Sequence, residues 1–258
     1  MKHRKKIIIV LVEGHSDLEA LRPIISSLFD ACYNGLFTVE FIEEREDVTA
    51  RKGISPICIE QWISMEYIVP FLKKNFLEVE DIQSIIQFTD LDGSYIDDKC
   101  ITEEKKTTGV FYSENSIVTK SKKDISKRNS NKRKNLDYLF RLKTFKLFFQ
   151  VTTMKNTPLI KDIPYGLFYF SSNLDHFLYG EANLNSSKKI SKAIEFARAT
   201  SVCEFEQMLL NGGLLFDYVA KKQTYFESWE FITKDINSLS RYSNINILID
   251  AIENGEFI

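Results

Sequence analysis

The chain is short of the residues that interrupt regular structure: 10 glycines and 5 prolines stand in 258 residues. That excludes a loop-built or low-complexity fold. The cysteines, Cys32, Cys58, Cys100 and Cys203, are scattered, and no two form a CxxC pair. A zinc knuckle and a disulfide framework are therefore not expected, and free thiols fit a reducing, cytoplasmic setting. The longest opening apolar run, Ile7–Val12, ends at Glu13. It is too short for a signal peptide's apolar region and far too short to span a bilayer, so no membrane association is expected. A formal net charge of −2 argues against a uniformly basic coat for nucleic acid. No G-x-x-x-x-G-K-[ST] phosphate loop is present, so any ATPase acting with this chain is expected to be a separate polypeptide.

What is present is a large apolar and aromatic complement: 44% hydrophobic residues, with 20 Phe and 11 Tyr. A sizeable core follows. Ile7–Val12 is β-branched and Leu throughout, the pattern of a strand buried on both faces. After Gly14, either Ser16 or Asp17 can cap a helix carrying Leu18, Leu21, Ile24, Ile25 and Leu28, in which Pro23 takes a first-turn position or makes a kink. A second strand is predicted at Leu36–Ile42, a polar loop at 44–56, a helix at 61–73 and a third strand at Ile82–Thr89. This alternation predicts an α/β fold with a parallel sheet flanked by helices. Thr108–Tyr112 fits a short strand, Leu136–Thr152 fits helix or strand, Gly166–Phe170 fits a core strand, and 174–180 starts a helix. Helices are predicted at 188–199, 202–210, 213–222, 224–238 and 243–253. The expected organisation is a catalytic unit over 1–185, with a basic insertion near 94–160, and a helical region over 186–258.

Glu13 stands where the first strand exits, and Asp90 and Asp92 where the third does. In an open parallel sheet, ligands bind at the carboxyl ends of strands. If the two strands are neighbours, their carboxylates converge, and Gly93 eases the turn that lets Asp90 and Asp92 flank one ion. Hard oxygen donors suit Mg²⁺ or Mn²⁺ rather than zinc. Between the two halves of the chain lies a basic run with Lys120, Lys122, Lys123, Lys127, Arg128, Lys132, Arg133 and Lys134 against one acid, Asp124. It suits phosphate contacts without base reading, or else is a solvated, mobile loop.

The pair IIIVLVEGHSD and IIQFTDLDG resembles the signature of the Toprim superfamily, which spans topoisomerases, bacterial primases, RecR-type repair proteins, RNA-maturing nucleases and OLD-type nucleases. The resemblance covers residues 5–95, with a return at 165–180, and is closest to the OLD-like and RloB/AriB-like defence branch. It implies Glu13 as general acid/base or metal ligand, and Asp90 and Asp92 as catalytic metal ligands. Asp17 occupies the place of a second acid four residues after the Glu. SSNLDHFL at 171–178 is similar to a late Ser-Asn-Pro-x-Phe-Glu element without its Pro and Phe, with Asp175 where the Glu stands. Each acid also has a blander reading: Asp17 and Asp175 as helix caps, and Glu-Gly or Asp-x-Asp-Gly as ordinary turn sequences. His15 and His176 could touch phosphate or water but are read first as structural, and His3 is read as an exposed tail residue.

The implied function is a Mg²⁺- or Mn²⁺-dependent nuclease acting on DNA or RNA, tRNA included, as a toxic antiviral effector working with a separate ATPase. The helices of 188–258 would dock that ATPase or simply cover the sheet. Further copies of the chain are also candidate partners. The rival readings are a non-catalytic nucleic-acid-binding or regulatory protein and a housekeeping RNA-processing nuclease. A topoisomerase would need further domains, and a primase a preceding zinc-type cysteine cluster.

Overall fold

The structure, a computed structural model, describes residues 5–150, 158–211 and 224–256. It opens with β1 (Lys6–Val12), α1 (His15–Tyr33) and β2 (Phe37–Glu43). α2 (Ile59–Ile63) continues through a π-helical turn, Ser64–Ile68, into α3 (Val69–Lys74). Pro70 lies just past that turn and has no N–H to give the carbonyl four residues back, which accounts for the wider winding. β3 (Ile82–Asp90) follows. Three short strands, β4 (Ile101–Glu103), β5 (Val110–Tyr112) and β6 (Ile117–Thr119), form a separate small sheet. Then come α4 (Lys122–Leu139), β7 (Thr144–Gln150), β8 (Pro158–Phe170) and α5 (Leu174–Tyr179). α6 (Ser186–Ala199), α7 (Val202–Asn211), α8 (Tyr225–Ile232) and α9 (Ile245–Glu253) complete the described helices.

The main sheet has the order β2-β1-β3-β8-β7. β2, β1, β3 and β8 run parallel, and β7 is an antiparallel edge. The fold is α/β, with a mixed, mostly parallel sheet between helices. Alternation along β1 divides the core: Ile8, Val10 and Val12 face α1, α5, α6, α7 and α9, while Ile7, Ile9 and Leu11 face α2, α3, the end of α4 and α8. Each such side chain withdrawn from water contributes about 1.5–3 kcal/mol. On the second face Trp229 of α8 is fully buried and stacks on Phe140, ring centroids 4.9 Å apart.

Several expectations need adjusting. The run 120–134 is not a loop: from Lys122 it is helix α4. The ambiguous stretch from Leu136 divides into the end of α4 and strand β7, and its residues 151–152 lie outside the described residues. β8 begins eight residues before Gly166. Pro23 lies inside α1, beyond its first turn. The helix placed at 213–222 lies outside the described residues, and 224–238 resolves into α8 and a 3₁₀ turn at Asn237–Leu239.

Candidate acidic centre and its lysines

β1 and β3 are hydrogen-bonded neighbours in parallel register, with Leu11 opposite Gln87, so they leave the sheet side by side. Glu13 is thereby set against the end of β3. Its Oε1 accepts hydrogen bonds from the Thr89 hydroxyl at 2.7 Å and the Asp90 N–H at 3.0 Å. Asp90 Oδ1 accepts from the Leu174 N–H at the start of α5, 2.9 Å away. Asp92 takes a left-handed backbone, φ 52°, and Gly93 continues it at φ 63°. That turn swings Asp92 back towards Glu13 instead of onward along the strand. Asp92 Oδ1 accepts from the Tyr112 hydroxyl at 2.9 Å, and its carbonyl accepts from Arg128 at 2.9 Å. The topology sets Glu13, Asp90 and Asp92 together at one end of the sheet, with Glu13 on the Asp90 backbone N–H.

Asp17 and Asp175 form a second group. The N-cap of α1 is Gly14, not Ser16 or Asp17; Asp17 stands three residues on, and its Oδ2 accepts from the Gly14 N–H at 3.0 Å. It also faces Asp175, whose charge, after burial, pushes the Asp17 carboxyl up to about 6. Asp175 is buried near the start of α5 and pairs with Lys189 of α6, Oδ2 to Nζ 2.6 Å. The cap of α5 is Asn173, not Asp175.

Three participants stand outside the sequence-derived set. Asp47, in the loop after β2, accepts from Thr49 and Ala50 through Oδ1. Glu44 is buried beneath it. One of its oxygens accepts from Gln87 at 2.9 Å and the other, Oε2, has no hydrogen-bond partner. Lys189 is the third. The largest departure concerns Lys132, which was expected to contact phosphate. It has no exposed side-chain surface, and its ammonium lies 2.7 Å from Asp47, 2.9 Å from Asp92 and 3.8 Å from Glu13. Lys132 is an interior cation of the acidic centre.

The electrostatics follow from this packing. Burial first, and then the Asp47 charge, push Glu13 up to about 8 against the pull of Lys132. Asp90 is held well above the ordinary carboxylate range by burial, Glu13 and Asp17. For Glu44, burial and then Glu13 act in the same direction. Burial opposes ionisation of Asp92 too, but Lys132 and Arg128 outweigh it and bring Asp92 down to about 2. Burial likewise works against the Lys132 charge and loses to Asp47, Asp92 and Glu13.

The remaining basic residues sort by the faces of α4. Arg128 turns inward: it binds the Asp92 carbonyl, the Tyr112 hydroxyl and the Asn129 side chain. Arg133 donates to the Ser94 carbonyl at 2.9 Å and so braces the loop after β3. Lys120, Lys123, Lys127 and Lys134 are exposed, and Lys122 is partly so. Lys127 and Lys134, with Lys52 opposite, line a groove of about 520 Å³ whose floor includes Arg128 and Asn131. Arg128 therefore belongs to both the groove and the acidic centre. His15 lies outside the centre, between Glu43 and Glu19 on the surface. His176 is partly buried, its Nδ1 has no hydrogen-bond partner, and burial followed by Arg241 lowers its pKa.

The donors suit a hard divalent cation in kind: they are all carboxylates, and burial, followed by neighbouring acids, raises the pKa of Glu13 and Asp90 against the pull of Lys132. Among the described residues, however, no group of three or more acids, cysteines or histidines is placed to hold a metal ion. On the Glu13–Asp47–Asp92 side Lys132 already stands between the oxygens. The fit is therefore one of chemistry on the Asp17–Asp90–Asp175 side, where the charge is less fully answered. Among the described residues no helix is long and apolar enough to cross a membrane. Compared with protein-family models, curated proteins and solved structures, the chain matches none of them.

Proposed function

We propose that the protein is a metal-dependent nuclease of the Toprim class that hydrolyses phosphodiester bonds in DNA or RNA, as an antiviral effector used with a separate ATPase. The observation that carries this reading is the meeting of Glu13, Asp90 and Asp92 at the carboxyl ends of two adjacent parallel strands. The groove lined by Lys52, Lys127 and Lys134 supports it, because an acidic centre needs cations beside it to tolerate a polyanion. The defence role rests on the sequence resemblance to the OLD-like and RloB/AriB-like branch.

Asp90, with Asp17 and Asp175, would hold Mg²⁺ or Mn²⁺, and a bound cation would polarise the phosphate and acidify water. The chain's own residues do the rest. Glu13, with a pKa of about 8, exchanges a proton readily near neutral pH, the property a general acid/base requires. The Thr89 hydroxyl and the Asp90 N–H fix which Glu13 oxygen faces the strand end. Asp92 stays anionic and anchors Lys132 and Tyr112. Arg128 and the groove lysines carry the phosphates on either side of the reacting one.

A second reading, a nucleic-acid-binding regulator without catalysis, is favoured by one observation: Lys132 neutralises acids that a nuclease would give to metal. One assay separates the two. Plasmid DNA and tRNA are incubated with the protein and Mg²⁺ or Mn²⁺, beside Glu13→Ala and Asp90→Ala. The nuclease reading expects cleavage to fall by ~10²-fold or more in both variants, while binding is retained. Binding without any metal-dependent cleavage would favour the regulator, and equal cleavage by variants and parent would sink the assignment of these acids.

A further inference from the structure

The three short strands after β3 make a sheet with two unlike faces, because side chains alternate across it. Ile101 and Ile117 point inward, into a small core with Ile96, Ile125 and Leu239. Val110 and Tyr112, on either side of Phe111, pack on that core, and the Tyr112 hydroxyl donates to Asp92 at 2.9 Å. Phe111 itself points the other way and is 47% exposed. It lies beside Val118 of β6, and Val118 lies beside Thr102 of β4, so the three form one row across the outer face.

A lone exposed ring would mean little. What distinguishes this one is its setting. Val110 pairs with Thr119, and the Glu104 N–H donates to the Thr119 carbonyl. The loop 104–109 and Lys120 therefore share one end of the small sheet, and Lys105, Lys106 and Lys120 are all exposed there. Of the acids nearby, Glu103 accepts from the Lys122 N–H and Glu104 from the Thr107 hydroxyl. The same end runs directly into α4, whose Lys127 and Lys134 line the basic groove. The groove offers cations and no aromatic side chain, and the small sheet offers the ring. Cations hold the phosphates of any polynucleotide, whereas a ring holds a base only by its open face. Stacked neighbours cover those faces in a duplex, and a single strand can splay them onto a side chain.

We propose that the outer face of the small sheet is a base-stacking platform, with Phe111 as its ring, for a single-stranded stretch of the nucleic acid whose backbone enters the basic groove. This rests on the reading above that the chain binds nucleic acid. It deepens that reading by naming the substrate class, a polynucleotide with unpaired bases, and a contact that senses the base rather than the phosphate.

Binding is measured on the full chain in chelator, so that no cleavage intervenes, by the anisotropy of labelled strands of about 12 nucleotides. Three probes are compared: oligothymidylate, an abasic strand of the same length and charge, and a duplex. The parent should hold oligothymidylate more tightly than the abasic strand. Phe111→Ala should weaken oligothymidylate binding by about 5- to 150-fold and leave the other two probes as they were. Phe111→Tyr should keep the parent's affinity, whereas Phe111→Leu, apolar but without a ring, should behave as Phe111→Ala does. Equal affinity of the parent for base-bearing and abasic strands would overturn the platform, and so would oligothymidylate binding that Phe111→Ala leaves unchanged. Equal losses on all three probes would overturn it too, because the ring would then support the groove and not a base. A parent that binds none of the three would remove the nucleic-acid reading itself.

Discussion

Asp92 and Gly93 show how much backbone geometry a single turn can demand. Both lie in the left-handed region, and a β-carbon at Gly93 would stand 2.5 Å from Leu239 Cδ2 and 3.0 Å from Ile117 Cδ1. Gly93→Ala therefore meets an unfavourable φ and a crowded wall at once. It should cost ~1–3 kcal/mol in urea unfolding, and an unchanged midpoint would contradict this packing. The acids make a prediction of opposite character. Glu13 moves from 4.5 to about 8 and Asp17 from 3.8 to about 6, so the folded state holds protons that the unfolded chain has released. Stability from these groups is full at acid pH and is lost as pH rises through those windows. Asp92, depressed to about 2, works the other way and loses its contribution only below about 3.8. In chelator the melting temperature should fall between about pH 4.5 and 8, and Mn²⁺ should flatten the fall. A flat profile without metal would argue that Glu13 is not confined as described.

At the scale of elements, α4 joins the acidic centre to the groove. Its inner face runs Ile125, Arg128, Asn129, Lys132, Asn135, Leu136 and Leu139, and its outer face carries Lys123, Lys127 and Lys134. Replacing Lys52, Lys127 and Lys134 by Gln should leave the fold intact and lower the slope of log affinity against log salt on duplex DNA by roughly 2–3. Anisotropy titrations at several salt concentrations read this directly, and an unchanged slope would remove the groove from the nucleic-acid path. β1 and β3 were legible in the sequence because strands buried on both faces are apolar without a break, and their terminal acids stood out against them. α4 was not, because half of its inner face is polar. Arg128 and Lys132 keep helical spacing with Ile125, Leu136 and Leu139, yet their charge hid the pattern. Asp47 and Glu44 lie in a loop, where no periodicity marks them. The role of Asp47 depends on Lys132 of α4, 85 residues away, and that of Glu44 on Gln87 of β3, 43 residues away, distances no local pattern encodes.

The whole molecule is closed by its last segments. α1 packs against α6, α7 and α9, and α8 fills the opposite face with Trp229, so the C-terminal helices share both cores with the sheet. The turn at Asn237–Leu239 reaches the acidic centre itself. The Ser238 carbonyl accepts from the N–H groups of Gly93 and Ser172, the Asn237 carbonyl accepts from the Ser171 hydroxyl, and the Tyr242 carbonyl accepts from the Ser171 N–H. One late segment thus holds the two loops that present Asp92 and lead into Asp175. On a ribosome, the chain is made from the other end. A nascent chain that has emerged as far as residue 200 already contains every acid and both lysines of the centre, but not the clamp that fixes their loops. The centre takes its final shape only after synthesis has passed Tyr242, long after its last acid, Asp175, and its last lysine, Lys189, have been made.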